Sequence, residues 1–298
     1  MNEFELIETI LSGLGEATEG ADVIVGPGDD CSAIRIPTGE LLVSSIDSLL
    51  VDVHFPASAP AQLVGYRALM VALSDLAAMG ARPVQVLVSL TLDAADPVWV
   101  TALAQGMAAA AGKAGVPIVG GNIARGSLAI HVSVHGCVLQ QGMLLRSGAQ
   151  PGDQIFVTGV LGGAAAALQR GLLSGDEIEL DVLNSAYFQP QARLKEGQLL
   201  RGVASSAMDV SDGLLQDLTH LVEASEVGAR IDSGRIPITE GASLDQALSG
   251  GDDYELLFTS HKSLPELAVP VTAIGEVVAQ RGLWLDGQPV TGSGYQHF

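Results

Sequence analysis

Short stretches rich in aspartate recur along this chain, and their side chains are the ones best suited to chemistry. The stretches are GPGDD, SSID, LSDLAAMG, DVSDG and GGDDYE. Their aspartates are Asp29, Asp30, Asp47, Asp75, Asp209, Asp212, Asp252 and Asp253. Asp is short, and its carboxylate oxygens are hard ligands that suit Mg²⁺. Several of these residues also stand beside glycine, where the backbone can approach a phosphate closely.

Each stretch by itself has a structural explanation. Asp75 could pair within a helix, DVSDG could open a helix with Ser211 or Asp212 as its N-cap, and GPGDD could be a β-turn. The whole set, with few Lys or Arg residues nearby, is harder to explain in this way, because unpaired carboxylates brought together repel one another. A bound metal ion relieves that repulsion, so the pattern favours a magnesium-dependent site.

The motifs of the common nucleotide-binding folds are absent from the sequence. AGKAG around Lys113 lacks the first glycine and the Ser or Thr of GxxxxGK[ST], and there is no HRD, DFG or helix-opening GxGxxG set. P-loop and protein-kinase mechanisms are therefore disfavoured. The stretch TGVLGGAAAAL at 158–168 predicts a glycine-rich turn from a strand into a helix. A helix N-terminus can bind phosphate, but a plain connection is the favoured interpretation.

Charge and composition exclude several classes of partner. The 298 residues carry a formal net charge of −20, which disfavours binding to nucleic acid and to anionic membranes. ATP is repelled too unless cations lie in between, which again indicates Mg²⁺. Cys31 and Cys137 belong to no CxxC or Cys/His cluster, so neither a disulfide framework nor a zinc site is expected. The start MNEFELIETI has no signal-peptide pattern and no stretch has the pattern of a membrane span, so we expect a cytoplasmic protein.

Three histidines and one arginine complete the set of candidate side chains. His54, in DVHF, fits a packed core residue and a substrate contact equally well. His131 and His135, in IHVSVH, lie on one face of a predicted strand without a third ligand, so a structural role is favoured. Arg146, in LLRSGA, is one of few basic residues and precedes a predicted domain boundary, where it could reach a phosphate.

Hydrophobic periodicity predicts two domains of helices and strands. In the first half, helices are predicted at 2–14, 60–79 and 97–114, with strands within 22–55 and at 84–92 and 127–139. In the second half, helices are predicted near 162–172, 190–202 and 212–226, with strands at 154–160, 229–232, 254–259, 270–278 and 283–285. This order indicates an α/β fold (α+β, with mixed sheets) in which helices pack on one face of each sheet. SGAQPGD, at 147–153, predicts the boundary between domains 1–147 and 148–298.

In their order along the chain, the motifs resemble those of a single family. They are GPGDDCSAI, SSID…VHF, ALSDLAAMGARP, GGNIARG, LLRSGAQPGD, DVSDGLLQDL, GGDDYELLFT and GYQHF. Together they are similar to the thiamine-monophosphate kinase family, which shares a superfamily with aminoimidazole ribonucleotide synthetase and selenophosphate synthetase. The resemblance implies ATP and several Mg²⁺ ions, and a homodimer through the N-terminal sheets. It also implies that 1–147 binds ATP and magnesium and dimerises, while 148–298 completes the cleft for nucleotide and substrate.

The resemblance also implies a role for each matching residue. Magnesium would be held by Asp30, Ser45, Asp47, Asp75, Asn122, Asp209 and Asp212. ATP or its metals would be contacted by Gly121, Asn122, Arg146 and Ser211, and the thiamine phosphate by His54, Asp252 and Tyr295. Asp47, Asp75 and Arg146 would be the catalytic residues.

Three positions depart from the family's usual motifs. GGNIARG stands where the family usually has GGDTTRG, so Asn122 replaces an aspartate. SSID stands for STD, so Ile46 replaces a threonine, and Asp252 is one methylene shorter than the glutamate of GGEDYEL. The core aspartates Asp30, Asp47 and Asp75 of the first half, and Asp209 and Asp212 of the second, are retained.

The implied reaction is direct transfer of phosphate from ATP to thiamine monophosphate, giving ADP and thiamine diphosphate. The acceptor is a phosphate oxygen that is already ionised, so positioning and charge neutralisation can suffice without a strong base. This fits a set of residues rich in Asp. Two alternatives stay open: another ATP-dependent enzyme of the same superfamily, or a weakened nucleotide- or thiamine-phosphate-binding protein, which Asn122 and Ile46 would explain.

Overall fold

The computed structural model describes residues 2–172 and 180–295, so residues 296–298 of the GYQHF motif lie outside the described residues. The helices are α1 (Glu3–Leu14), α2 (Ala61–Ala78), α3 (Pro97–Ala114), α4 (Gly163–Arg170), α5 (Val182–Phe188), α6 (Leu194–Leu199), α7 (Leu214–Ala224) and α8 (Leu244–Ser249). The strands are β1 (Val23–Val25), β2 (Ala33–Ile34), β3 (Glu40–Leu50), β4 (Arg82–Leu92), β5 (Ile118–Arg125), β6 (Ala129–Leu139), β7 (Gln154–Thr158), β8 (Ser206–Asp209), β9 (Gly228–Ile231), β10 (Leu256–Ser260), β11 (Val271–Val278), β12 (Gly282–Leu285) and β13 (Gln288–Val290).

The described chain divides into two compact units. Residues 2–76 and 82–139 belong to the first unit, and residues 77–81, 140–172 and 180–295 to the second. Each unit contains its own larger sheet of mixed strand direction, and the predicted α/β class with two mixed-sheet domains is confirmed. The limits 1–147 and 148–298, and the roles given to them, remain predictions.

The first unit is built on a sheet with strand order β3-β6-β4-β5, in which only β4 and β5 run parallel to each other. Along β6, Ile130, Val132 and Val134 are completely buried, while the alternating residues on the other face are partly exposed. Strand residues alternate between faces, so one face is packed and the other is open. Ser45 of β3 pairs with Val134 and contacts Asp75 of α2, which places α2 over the packed face.

The second unit has a seven-stranded sheet with the order β13-β12-β9-β11-β7-β10-β8. Strands β9 and β12 are parallel, and the other neighbours are antiparallel. Its core contains Ile155 and Leu257 from the strands, and Leu214, Leu218 and Leu221 from α7, all fully buried. The spacing of these three leucines along α7 is that of one helix face, so α7 packs its apolar side onto this core.

Helices α2 and α3 have 18 residues each and are rich in apolar side chains. Neither they nor any other helix in the described part of the chain is long and apolar enough to cross a membrane. Their apolar residues are instead buried inside the first unit, among them Leu69 and Leu73 of α2 and Leu103 of α3.

Several local expectations were wrong. Residues 51–55 were predicted as strand but form a turn, in which Asp52 has a φ of 60° and its N–H donates to the Phe55 carbonyl oxygen at 2.7 Å. The predicted helix 190–202 is only the short α6, and α5, α8, β5, β8 and β13 were not predicted. Apart from β5, which has eight residues, the unpredicted elements have three to seven residues each, and periodicity is too weak a signal over such lengths.

Candidate functional site

In the first unit, predicted metal ligands lie between strand β3 and helix α2. The hydroxyl of Ser45 donates a hydrogen bond to Oδ2 of Asp75. Asp47 lies two residues further along β3, so it points to the same face as Ser45. Asp75 is half-buried in a stretch of α2 whose neighbours are buried. The structure thus brings Ser45 and Asp75 into contact and places Asp47 on the same side of the sheet.

The predicted nucleotide contacts Gly121 and Asn122 are exposed on the edge strand β5. They pair with Val88 and Ser89 of β4. A Cβ atom on residue 121 would lie 1.8 Å from the carbonyl oxygen of Val88, so this close approach of two strands requires glycine. The exposed backbone and the Asn122 amide are therefore available to a ligand from the solvent side.

A cavity of about 850 Å³ adjoins this edge of the sheet. Its lining includes Asp29 and Asp30 of the loop between β1 and β2, together with Gly121 and Asn122. Both aspartates are exposed, and the Asp30 N–H donates to Oδ1 of Asp29 at 2.8 Å, which closes a local turn. The cavity thus groups Asp30 with the β5 residues, whereas Ser45, Asp47 and Asp75 do not line it.

The histidines of the first unit have partners within the fold. His131 Nδ1 lies 2.7 Å from the Ser48 hydroxyl, and His135 Nδ1 lies 2.8 Å from that of Ser44. Burial lowers the pKa of His135. These cross-strand contacts support the favoured structural role. Nδ1 of His54 accepts from the Leu50 N–H at 3.0 Å and so closes the turn after β3, with the side chain only half-buried.

In the second unit, the loop after β8 carries three predicted ligands. Asp209 is buried at the end of the strand, and Ser211 and Asp212 are half-buried in the loop. The backbone N–H groups of Ser211, Asp212 and Gly213 all donate to Oδ2 of Asp217, at 3.0, 3.1 and 3.1 Å. Burial raises the pKa of Asp217 to about 7, helped by the nearby charges of Asp209 and Asp212.

The loop before β10 packs against this same turn. The Asp252 N–H donates to the Ser211 carbonyl oxygen at 2.8 Å, and the Tyr254 hydroxyl donates to Oδ1 of Asp252 at 2.9 Å. Asp252 and Tyr254 have backbone φ angles of 63° and 53°, a conformation that residues other than glycine rarely adopt. The Tyr295 N–H donates to the Asp212 carbonyl oxygen at 3.0 Å. The structure therefore brings Asp252 and Tyr295 to the loop of Ser211 and Asp212.

The glycine-rich turn before α4 is held by acidic side chains of the loop before β10. The Gly162 N–H at the start of α4 donates to Oδ1 of Asp253 at 2.8 Å, while Oδ2 of Asp253 is buried and has no hydrogen-bond partner among the described residues. Burial raises the pKa of Asp253 well above its ordinary value, and Glu255 and Asp252 add to this. Because a carboxylate of the chain itself binds Gly162, the turn is a plain connection and not an open phosphate site.

Glu255 is a carboxylate of this region whose two oxygens both have partners. It is buried and forms an ion pair with Arg193, whose Nε lies 2.6 Å from Oε2. The hydroxyl of Thr158 donates to the same Oε2 at 2.6 Å. A Cβ on Gly159 would lie 2.0 Å from Oε1, so the turn after β7 requires glycine here. Glu255 consequently has a structural role.

Arg146 is exposed and lies in the second unit, within its stretch 140–172. Its carbonyl oxygen accepts from the Ser225 hydroxyl at 3.1 Å, and the same hydroxyl accepts from the Ala149 N–H at 3.1 Å. These bonds anchor the backbone of 146–149 beside the end of α7. The guanidinium therefore starts from a fixed backbone at the surface, where it can reach an anionic ligand.

The predicted magnesium ligands suit the ion chemically, but the protein alone does not gather them. They offer carboxylate, hydroxyl and amide oxygens, the hard donors that Mg²⁺ prefers. Across residues 2–172 and 180–295, no three His, Cys, Asp or Glu side chains lie close enough together to hold a metal ion. Repulsion between unneutralised carboxylates favours such spreading. The residues therefore fit the ion, and the set stays a prediction.

Three residues of this region were missed or left without a role. The sequence pattern does not single out Asp217, although it lies within DVSDGLLQDL, it does not distinguish Asp253 from Asp252, and it gives Tyr254 no role. The signal for Asp217 is an aspartate in the first turn of a helix that follows the glycine of DG, a position that can satisfy free amides. Nothing in the sequence alone indicates that the Tyr254 hydroxyl turns back to Asp252.

Comparisons with known proteins find relatives over nearly the whole chain. The family model of AIR synthase related protein, N-terminal domain, matches residues 28–138, and that of the C-terminal domain matches residues 150–285. A thiamine-monophosphate kinase of Escherichia coli (strain K12) is 41% identical over 93% of each chain. The crystal structure of thiamine-monophosphate kinase from Stenotrophomonas maltophilia K279a is 36% identical, covers 97% of this chain and 98% of its own, and superposes with a TM-score of 0.88. A structure described as AaThiL complexed with AMPPCP and TMP is 30% identical, covers 99% of this chain and 97% of its own, and has a TM-score of 0.81.

Proposed function

The chain belongs to the thiamine-monophosphate kinase family, and on this premise we propose that it transfers the terminal phosphoryl group of ATP to the phosphate of thiamine monophosphate. The products are ADP and thiamine diphosphate. The observation that carries the proposal is the match over 99% of this chain to the structure with AMPPCP and TMP. AMPPCP is an analogue of ATP, so that structure pairs a nucleotide with a phosphate acceptor.

The acidic residues act in this reaction by holding and orienting charge. We propose that Mg²⁺ is held by Asp30, Ser45, Asp47, Asp75, Asn122, Asp209 and Asp212. Bound Mg²⁺ would neutralise charge on the phosphates, which reduces the repulsion between donor and acceptor. The contact between Ser45 and Asp75 fixes one carboxylate oxygen before any ligand arrives. Asp47 and Asp75 are the proposed catalytic carboxylates, since Asp47 lies on the face of β3 that α2 covers and Asp75 lies on α2 itself.

The basic and neutral residues complete the nucleotide side. Gly121, Asn122, Arg146 and Ser211 are the proposed contacts to ATP. A guanidinium provides several N–H donors for phosphate oxygens, and Arg146 carries it on an anchored backbone. No general base is assigned, because the acceptor phosphate is already ionised at neutral pH. Positioning of two anions is the main task of the protein.

The acceptor side is proposed to be formed by His54, Asp252 and Tyr295. The thiazolium ring of thiamine is cationic, and both a carboxylate and an aromatic face attract a cation. Oδ1 of Asp252 accepts from Tyr254, which limits how its carboxylate can turn. Tyr295 is exposed, and its backbone N–H donates to the Asp212 carbonyl oxygen.

We also propose that the protein is a homodimer and works in the cytoplasm. The open face of β3 carries exposed Leu42, Leu50 and Ile46, the last with 65% of its surface exposed. Such a row on an edge strand favours contact with a second copy. Light scattering on the purified protein would measure the mass of the assembly directly.

The cysteines bear on the compartment. Cys31 and Cys137 are both free thiols, which fits a reducing compartment such as the cytoplasm.

A coupled assay of ADP release tests the proposed function. The protein is mixed with Mg²⁺ and ATP, with and without thiamine monophosphate, and thiamine diphosphate is identified by chromatography. We expect ADP and thiamine diphosphate in equal amounts, and ADP only when the acceptor is present. ADP release with other acceptors but not with thiamine monophosphate would favour another enzyme of the superfamily. Binding of both ligands without turnover would favour the weakened binding protein.

A further inference from the structure

Asp217 makes an unusual set of contacts for a helix residue. It lies in the first turn of α7, is only 1% exposed, and its Oδ2 atom accepts three successive backbone N–H groups, those of 211–213. The side chain thus reaches back over the loop that precedes its own helix. A single oxygen atom thus satisfies three backbone donors of the loop and N-cap that immediately precede the helix.

Successive amides at a helix N-terminus are a common binding site for phosphate, because their donors and the helix dipole both favour an anion. In this chain the anion is a side chain of the helix itself. While Oδ2 of Asp217 accepts these bonds, the three amides are not available to a phosphate of the nucleotide. The loop must therefore act on a ligand through the side chains that it carries.

The carbonyl side of the same turn is also occupied. The N–H of Asp252 donates to the Ser211 oxygen at 2.8 Å, and the N–H of Tyr295 donates to the Asp212 oxygen at 3.0 Å. Gly251 approaches so closely that a Cβ there would lie 2.6 Å from the Ser211 oxygen. The backbone of the turn is thus held from both sides, and within the described part of the chain Asp217 alone accepts from its N–H groups.

We propose that Asp217 is a positioning residue of the phosphoryl-transfer reaction. By fixing the amides of 211–213, it sets the directions of the Ser211 and Asp212 side chains, and it leaves phosphate to be reached through these side chains and the ion they hold. This inference rests on the proposed function. It concerns the acceptor oxygen of Asp217 and its geometry, not the protonation of the carboxyl group.

Two variants separate the acceptor from the bulk of the side chain. Asp217→Asn keeps an oxygen that can accept the three amides, and Asp217→Leu has a similar size without an acceptor. Glu223→Gln, at an exposed position of the same helix, is the matched control. We expect kcat to fall about 100-fold in the Leu variant, the size of effect that a misplacement of about 1 Å produces. We expect kcat to fall less than about tenfold in the Asn variant, since the acceptor geometry is retained, and to stay unchanged in the control.

Two measurements without turnover accompany the assay. Hydrogen exchange of the 211–213 amides should be slow in the wild type and the Asn variant, and faster in the Leu variant. Calorimetric titration with AMPPCP, in Mg²⁺ and in EDTA, should show that the tightening by Mg²⁺ is reduced in the Leu variant. A Leu variant with wild-type kcat would overturn the proposal, and so would an Asn variant as impaired as the Leu variant.

The test remains decisive if the Leu variant does not fold. The Asn variant then decides: slow exchange at 211–213 with nearly full kcat supports the proposal, and fast exchange with full kcat overturns it. Failure of the proposed function looks different, because the wild type would then release no ADP with thiamine monophosphate. Amide exchange and AMPPCP binding would still show whether Asp217 holds the loop.

Discussion

At the scale of single residues, the aspartates of this protein fall into two groups with different chemistry. Asp29 and Asp30 are exposed, so their carboxylates are accessible to solvent. Asp217 and Asp253 are enclosed by protein, and burial raises the pKa of both. The first group suits binding of a cation that arrives with the nucleotide, whereas the second mainly satisfies backbone amides. Residue type alone does not distinguish the two groups, because the difference lies in what surrounds each carboxylate.

Asp47→Asn and Asp75→Asn should each lower kcat by at least about 100-fold, because a single electrostatic contact to the transferring group is worth roughly 2.7–4 kcal/mol. Asp93→Asn, at an exposed loop position of the same unit, is the control and should keep full activity. Steady-state ADP release at saturating substrates measures the effect. Losses below about tenfold in both variants would instead assign structural roles to Asp47 and Asp75.

Asn122→Asp should tighten the Mg²⁺ requirement. The carboxylate adds a charge that Mg²⁺ prefers over an amide oxygen, and a unit charge at ~4 Å interacts by about 4 kcal/mol at an effective dielectric of ~20. Desolvation and repulsion from other carboxylates offset part of this interaction. We therefore expect Mg²⁺ binding to be more favourable by roughly 1–2 kcal/mol, which lowers the half-saturating Mg²⁺ concentration about tenfold.

A Mg²⁺ titration of ADP release at fixed ATP compares wild type, Asn122→Asp and Asn122→Ala. The alanine variant lacks any side-chain oxygen and should need more Mg²⁺ than the wild type. The maximal rate at saturating Mg²⁺ should change less than the half-saturating concentration. Three identical titration curves would mean that residue 122 is not a metal ligand in this protein.

Asp253→Asn should change how stability depends on pH. The folded-state pKa of Asp253 is raised above its unfolded value. The contribution of Asp253 to the free energy of unfolding is therefore fully present below the unfolded pKa and is lost as pH rises through the folded pKa. Asn keeps an acceptor for the Gly162 N–H and has no proton to lose. The Tm of the variant minus the Tm of the wild type should therefore be more positive at pH 8 than at pH 5.

Differential scanning calorimetry at both pH values measures this difference. Asp245→Asn, at an exposed position of α8, is the control, and its difference from wild type should stay constant. A Tm difference for Asp253→Asn that moves the other way would show that the buried carboxyl group ionises with stabilising partners in the folded state.

At the scale of elements, α3 was predictable to the residue and β8 was not predictable at all. Asp96 caps α3 by accepting from the Val98 N–H at 2.9 Å, Pro97 occupies the first position, and Gly115 ends the helix with a φ of 67°. Each of these signals is local. Strand β8 is the four residues SAMD, and pairing with β10 makes it a strand. That pairing joins segments far apart in sequence, so the strand that carries Asp209 has no local signal.

Gly106→Ala should destabilise the first unit, because α2 and α3 touch through glycines. A Cβ on Gly106 would lie 1.9 Å from the Gln62 carbonyl oxygen, and one on Gly65 would lie 2.1 Å from that of Leu103. Backbone atoms cannot yield as a flexible side chain does, so the helices must separate, at a cost of about 1–3 kcal/mol or more.

Gly112→Ala is the matched control in the same helix. A Cβ there meets nothing within 4 Å, so the substitution should stabilise by about 0.5–1 kcal/mol, the helix preference of Ala over Gly. Urea unfolding of the two variants should thus shift the midpoint in opposite directions. A neutral Gly106→Ala would show that the two helices can move apart freely.

At the scale of the whole molecule, the sequence predicted the class of fold and the two mixed sheets, and it pointed to the family. It did not predict side-chain directions. The loops at 209–213, 251–255 and 292–295 lie far apart in the chain, and only the folded second unit shows their backbones bonded to one another. Asp217 illustrates the limit, since its three amide contacts depend on the path of the loop and not on residue type.

The net charge of −20 leads to a prediction for the complete protein. ATP and thiamine monophosphate both carry phosphate, and an acidic protein repels both unless cations neutralise the charge. Several groups of carboxylates imply several ions, so the rate should rise with Mg²⁺ more steeply than first order. AMPPCP binding should weaken when Mg²⁺ is removed with EDTA, and activity should be lost.

Screening by salt and binding of a specific ion are separated by titrating Mg²⁺ at constant ionic strength, with NaCl making up the difference. General screening acts over a Debye length of about 8–10 Å at 0.1–0.15 M and depends on ionic strength alone, so at constant ionic strength it adds no slope. Coordination by carboxylates depends on the Mg²⁺ concentration itself. A steep rise of the rate under these conditions therefore indicates several bound Mg²⁺ ions, whereas a first-order rise would indicate that one bound ion is enough. Full activity in EDTA would contradict the magnesium-dependent mechanism.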